Sequence, residues 1–225
     1  VDAKRYKQGD PLLTEQELLT LGAKGQLLQR EAGHVFFREG EETDAVLLIK
    51  KGHLRVLVGK PSRIVAIRRS GELVGEMGAI RGKPRSATVV AHDDVVVLHI
   101  PAQHFLDVLY ENPRTLHALL VESEERTEQA TRKIVDSDLA AERRLAKALL
   151  ELVEDGVADR VDGVLTARFA QADLASLTGM SLESVKKVTK LFRDNAIVDT
   201  GRGQVRILDT ATLEEVAAGN RTTSR

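Results

Sequence analysis

The chain has 225 residues, a formal net charge of −1 and no cysteine. That length supports two modest cores. The near-neutral balance confines any nucleic-acid contact to a local patch, and the missing thiols exclude disulfides, thiolate zinc sites, iron–sulfur clusters and cysteine nucleophiles.

No apolar run approaches the ~20 residues of a membrane span, and the opening Val1-Asp2-Ala3-Lys4-Arg5 lacks a signal-peptide core. A cytoplasmic protein with no membrane partner is the expectation. Thr14 followed by Glu17 is a capping-box pattern. With Leu18, Leu19, Leu21, Leu27 and Leu28 it predicts a short helical lid packed on a sheet.

From Glu31 to Leu98 the texture changes to short β-branched runs punctuated by Gly33, Gly40, Gly52, Gly59, Gly71 and Gly82. Strands are expected at 46–49, 54–58, 64–67, 87–90 and 95–98. Short strands at close spacing predict a small barrel or roll. His34, His53, His92 and His99 are scattered without metal-ligand spacing, so no metal site is expected.

Residues 75–89 read GEMGAIRGKPRSATV and fall between two of these strands. Backbone N–H groups at a short helix start can point at an anion, and the planar fork of Arg85 can grip two phosphate oxygens. Glu76 repels phosphate and is better placed to serve a neighbouring hydroxyl. The glycines alone would equally suit an ordinary β-turn followed by an exposed arginine. The whole string resembles the phosphate-binding cassette of the cyclic-nucleotide-binding domain family. That resemblance implies a ribose 2′-hydroxyl on Glu76, the cyclic phosphate on Arg85, and further phosphate contacts from Ser86 and the Gly75 and Glu76 amides, with Met77 and Ala87 lining the site.

Pro101 opens a helix from Ala102 to about Tyr110. Asn112 is the expected N-cap, and Pro113 the first residue, of a helix of roughly 24 residues. The stripe Leu116, Leu119, Leu120, Ser123, Thr127, Ala130 and Ile134 reads as a dimer seam, or alternatively as the inner face of a helix lying on its own domain. Glu122, Glu124 and Glu125 are expected to face water. Asp136-Ser137-Asp138 is a candidate hinge, with Asp138 capping a helix through Leu145, Leu149 and Leu152 that ends near Gly156. A loop over 159–163 and a strand over 164–169 follow.

Residues 171–191 have the logic of a helix-turn-helix. Leu174, Ala175 and Leu177 face inward, Gly179 permits a left-handed turn residue, Ser181 caps the second helix, and Val185, Val188 and Leu191 anchor it. Lys186, Lys187, Lys190 and Arg193 make a basic patch on exposed faces. A hairpin over 197–207 with Arg202 between Gly201 and Gly203 completes a winged helix whose cationic tip suits a phosphate. Winged helices also bind protein, so a C-terminal protein-interaction module is the alternative.

The order of roll, long helix and winged helix resembles the family of the cAMP receptor protein across essentially the whole chain. The resemblance implies an α+β protein with three parts: a cyclic-nucleotide-binding β-roll (1–111), a dimerisation helix and hinge (112–137), and a winged helix-turn-helix DNA-binding domain (138–225). It implies a homodimeric transcriptional regulator, not an enzyme, controlled by cAMP or another cyclic nucleotide. Its partners would be a palindromic DNA operator and RNA polymerase. Regulators in which another ligand, or none, replaces cAMP are the variant reading. DNA contacts would come from Gln171, Ser181, Leu182, Glu183, Ser184, Lys186, Lys187, Lys190 and Arg202. Leu182 stands where the family's archetype has an arginine and cannot make its bidentate guanine contact, whereas Glu183 can accept from cytosine and Lys187 can donate to guanine. The two adenine-contacting positions of the long helix become Ala130, which is apolar, and Thr131, which can bond an exocyclic amine across the dimer.

Overall fold

The computed structural model describes residues 10–42, 44–136, 139–161 and 164–223. Ser137 of the expected hinge, the expected cap at Asp138, Asp162 and Gly163 of the expected loop, and the lead Val1 to Arg5 lie outside the described residues. The chain divides into two compact units, Val1–Gln129 and Ala130–Arg225.

The first unit contains α1 (Glu15–Lys24), β1 (Gln26–Arg30), β2 (Val35–Phe37), β3 (Ala45–Lys51), β4 (Leu54–Val58), β5 (Arg63–Arg68) and β6 (Leu73–Val74). It continues through α2 (Glu76–Arg81), β7 (Thr88–Ala91), β8 (Val95–Pro101) and α3 (Ala102–Glu111) to the first part of α4 (Pro113–Asp136). The strands form two antiparallel four-stranded sheets, ordered β1-β8-β3-β6 and β2-β7-β4-β5, which make the β-roll.

Both faces of β3 are covered, which is why its sequence is a continuous apolar run rather than an alternation. Leu47 and Ile49 enter the core between the sheets with Phe37, Leu54, Val95 and Val97. Val46 and Leu48 enter a second core with Leu21 of α1, Phe105 and Leu109 of α3 and Leu119 of α4.

Three expectations are corrected in this unit. Leu27 and Leu28 extend no helix: α1 ends at Lys24, and the chain then pairs along β8 from Gln26↔His99 to Arg30↔Val95. Asn112 stands at the expected N-cap position of α4, but its side chain does not do the capping. Its Nδ2 donates 2.7 Å to the Val108 carbonyl at the end of α3, while its own carbonyl accepts from the Thr115 and Leu116 amides. Leu119 is no part of an exposed seam, because Thr115, Ala118 and Leu119 face the core of the roll. Leu116, Leu120 and Ile134 remain exposed at 47%, 68% and 71%.

The second unit contains α5 (Ala141–Glu154), β9 (Ala158–Val161), β10 (Val164–Ala167), α6 (Gln171–Thr178), α7 (Leu182–Asp194), β11 (Val198–Gly201), β12 (Gln204–Ile207) and α8 (Thr210–Ala218). One sheet, β11-β12-β10-β9, lies beside the helices. Leu145, Leu149, Leu174, Val185, Phe192, Val205 and Leu213 are all buried here. Ala158–Val161, expected to belong mostly to a loop, is a strand, because it can pair residue for residue with β10 from Ala158↔Ala167 to Val161↔Val164. The strand after it stops at Ala167 rather than 169, and Ala140, not a polar residue, occupies the N-cap position of α5. Helix α8 carries no counterpart in the sequence expectations; Asp209 caps it by accepting from the Thr212 amide at 2.9 Å.

Candidate ligand cavity and DNA-reading surface

The cassette forms one wall of a cavity of about 160 Å³ in the first unit. Gly75, Glu76, Met77, Arg85, Ser86 and Ala87, all expected from the sequence, line it together. Thr131 lies in the second unit, exposed on α4.

Gly75 has φ 87°, and a Cβ there would sit 2.3 Å from Arg85 Nη1 and 3.0 Å from the Phe37 ring. Only glycine meets both demands, the left-handed backbone and the close approach. Its carbonyl can then accept from Arg85 Nη1 at 3.0 Å while Nη2 donates 2.6 Å to the Ala45 carbonyl. The Arg85 guanidinium also stacks 3.5 Å over Phe37, and its backbone is pinned by the Glu41 carbonyl and the Gly40 amide. Burial, only partly offset by Asp44, Glu76 and Glu41, lowers its pKa from the usual arginine value. Its Nε is buried and finds no acceptor among the described residues. Helix α2 starts at the same wall, and the first amides of a helix have no intrahelical acceptors. An orphaned guanidinium N–H, a helix start and the Ser86 hydroxyl fit a cyclic phosphate.

Glu76 is 4% exposed. Its Oε1 receives Nη1 of Arg126 at 2.6 Å, and Arg126 Nη2 donates 3.0 Å to the Leu73 carbonyl and also pairs with Glu122. Burial alone would lower the pKa of Arg126, but Glu76, Glu122 and Glu72 raise it above its ordinary value. Glu122 is correspondingly not a water-facing residue. Burial raises its pKa, and Arg126 opposes that rise. A carboxylate has about four lone-pair sites, so Glu76 can hold Arg126 and still accept a sugar hydroxyl. Arg126 is not among the site residues expected from the sequence. The available signal was its spacing: Arg126 stands seven residues beyond the buried Leu119, on the helix face turned toward the roll.

In the second unit Gly179 has φ 65° and turns the chain between α6 and α7. Arg144 Nη2 holds this turn from α5 through the Thr178 carbonyl at 2.5 Å. Ser181 caps α7, its Oγ accepting from the Ser184 amide at 3.1 Å and lying 2.8 Å from Ser184 Oγ. Val185, Val188, Thr189 and Phe192 bury one face of α7; Leu182, Glu183, Lys186, Lys187 and Lys190 are exposed on the others. Gln171 opens α6, half-buried, and Arg202 is exposed at the two-residue turn where Gly201 pairs with Gln204. Among the described residues no His, Asp and Glu group could hold a metal ion, and no helix is long and apolar enough to cross a membrane.

A β-roll bearing a cyclic-nucleotide cassette, followed by a winged helix-turn-helix, defines a ligand-binding transcription regulator. Residues 27–112 match the cyclic nucleotide-binding domain family and residues 143–216 the Crp-like helix-turn-helix domain. The cyclic AMP receptor protein of Thermus thermophilus is 30% identical over 191 residues, 83% of this chain and 86% of that protein. The chain therefore belongs to the Crp/FNR family of transcriptional regulators, which are not enzymes.

Two solved structures share the fold. A CRP/FNR-family transcriptional regulator from Thermus thermophilus aligns with TM-score 0.70 at 23% identity, covering 86% of this chain and 98% of that one. The c-di-GMP responsive global regulator CLP of Xanthomonas campestris aligns with TM-score 0.75 at 20% identity, covering 86% and 99%. Similarity also extends to a lysophospholipase of Aspergillus fumigatus, 33% identical over 38% of this chain but only 6% of that enzyme.

Proposed function

We propose that the protein is a homodimeric regulator whose affinity for a palindromic operator is set by a purine cyclic nucleotide, cAMP being the ligand for which its 30% identical relative is named. The observation that carries this reading is Arg85, buried at the cavity wall with its Nε unsatisfied. Arg85 and Ser86, with the α2 amides, hold the cyclic phosphate; Glu76 takes the ribose 2′-hydroxyl; Gly75, Met77 and Ala87 shape the wall. At about 160 Å³ the cavity is smaller than the roughly 300 Å³ at which small-molecule sites begin. The base therefore extends outward, to Thr131 of the partner subunit's long helix.

The segment 112–137 serves as dimerisation helix and hinge, using Leu116, Leu120 and Ile134, and 138–225 reads DNA. Ser181, Leu182, Glu183, Ser184, Lys186, Lys187 and Lys190 belong to the major-groove helix, with Gln171 and Arg202 on the backbone. Two-fold symmetry sets the half-sites about 34 Å apart. Ligand favours the pairing of the long helices that gives this spacing, a coupling of ~1–3 kcal/mol. The protein acts in the cytoplasm, with RNA polymerase as a further partner.

Calorimetric titration with cAMP tests the ligand reading. Arg85→Ala is expected to lose at least tenfold in affinity, the scale of one hydrogen bond to a charged group at ~1.5–3 kcal/mol. Unchanged affinity would sink it. Selection from a random DNA library tests the other half, since recovery of no palindrome would favour a protein-interaction module.

A further inference from the structure

Arg68 is an arginine on an inward-facing sheet position. It pairs with Leu54 across β4 and β5, so the two side chains share a face, and Leu54 is fully buried in the core between the sheets. Arg68 is half-buried and lines the same cavity as Arg85, Glu76 and Arg126. A guanidinium on the interior face of a roll is costly unless something polar meets it.

The cavity has an order. Arg85 is fixed at one end by the Gly75 and Ala45 carbonyls. Glu76 comes next, and on its far side Arg126 reaches Glu76 and the Leu73 carbonyl. The tight 69–72 turn, closed by Arg69 N to Glu72 Oε2 at 2.7 Å, returns the chain from Arg68 to Leu73, which brings Arg68 to the Arg126 end. Burial and then the Arg126 charge lower the pKa of Arg68, against the pull of Glu72, Glu76 and Glu122. At this end, too, a buried donor is left over: Arg126 Nε finds no acceptor among the described residues. A ligand that satisfied only Arg85 and Glu76 would leave this second donor cluster unused.

We infer that Arg68 reads a second acceptor-rich group of the ligand, beyond the ribose and opposite the cyclic phosphate. The inference rests on the cassette reading of Glu76 and Arg85 and adds a specificity residue outside the cassette. Two planar acceptors suit a guanidinium fork. Guanine offers O6 and N7 as such a pair, adenine only N7 beside a donor amine, and a second phosphate offers its oxygens.

The test is calorimetric titration of the full chain and of Arg68→Gln and Arg85→Ala with cAMP, cGMP, c-di-AMP and c-di-GMP. The protein is expected to bind at least one of the last three about tenfold or more tightly than cAMP, the scale of one bidentate pair. Arg68→Gln should erase that preference, while Arg85→Ala loses all four. A gain for cGMP identifies guanine, and a gain for c-di-AMP identifies the second phosphate. A preference for cAMP in the unaltered protein, or ratios unchanged in Arg68→Gln, overturns the inference and leaves the cassette reading standing. Binding of none of the four overturns both. Arg68→Lys, which keeps the charge without the fork, should recover less than half of the preference; full recovery would reduce Arg68 to a charge-balancing role and overturn the reading.

Discussion

Arg126 and Glu76 stand fifty positions apart in the chain and meet inside the cavity with Nη1 2.6 Å from Oε1. One comes from the long helix, the other from the first turn of the cassette helix. The side chains are 19% and 5% exposed, so the pair is shielded from solvent screening, and Arg126 is what makes the buried Glu76 charge tolerable. Removing Arg126 takes the ion-pair partner from a buried carboxylate. Arg126→Ala is expected to destabilise the protein by roughly 3 kcal/mol, and the double variant Glu76→Gln/Arg126→Ala to regain more than half of that. Denaturant titration of the four members of the cycle measures the coupling. Additive losses would mean that the pair contributes little beyond its separate packing.

What could be read in the sequence, and what could not, divides along the range of the interaction. The cassette, the Gly179 turn, the Ser181 cap and the wing are written in neighbouring residues, and local backbone chemistry suffices to place them. The capping box at Thr14 and Glu17 forms as its spacing predicts, with Thr14 N donating 2.6 Å to Glu17 Oε2. The role of Arg126 depends on a carboxylate brought to it by the fold: its spacing from Leu119 gives the helix face but not the partner. β9 was hidden for a related reason: Ala158, Asp159, Arg160 and Val161 are together a poor strand sequence, and only the ladder to β10 makes them one. Leu27 and Leu28 have helical character that pairing with β8 overrides.

The residues proposed to read DNA fall into two physical classes. Lys190 and Arg202 are exposed cations expected to contact phosphates. Lys190→Ala and Arg202→Ala should each weaken binding to all sequences alike and reduce the slope of log affinity against log salt by about 1. Glu183→Gln should instead change the ranking of sequences at one base pair by ~1–3 kcal/mol. Fluorescence anisotropy over a salt series, with the selected operator and a scrambled duplex, distinguishes the classes. A salt slope unmoved by both cation variants would take this surface out of the interface.

Glu17 has a second role besides the capping box. Its Oε1 accepts from Thr115 Oγ1 on α4, with Thr115 1% and Glu17 7% exposed, so the helix that opens the roll is bonded to the helix that leaves it. Thr115→Val keeps the shape and removes the donor. It is expected to cost ~2 kcal/mol, as for a hydrogen bond to a charged group, and to lower the thermal midpoint. A midpoint unchanged by Thr115→Val would show that Thr14 alone satisfies the carboxylate.

Asp93 joins the turn after β3 to the turn before β8. Its Oδ1 accepts from the His53 amide and its Oδ2 lies 2.7 Å from His53 Nδ1. Burial alone would raise the pKa of Asp93, but the hydrogen bonds from His53 and the charges of His53 and His92 bring it below the ordinary 3.8. A carboxyl depressed in the folded state stabilises the fold at pH above its unfolded value, and that contribution is lost as pH falls through the folded value. Thermal melts of the protein and of Asp93→Asn across the acid range should therefore converge as pH falls below 3.8, because the variant has no charge there to lose. Asparagine can still accept from the His53 amide, so a difference between the two that persists undiminished at the lowest pH would assign the effect to turn geometry rather than to the ionised carboxylate.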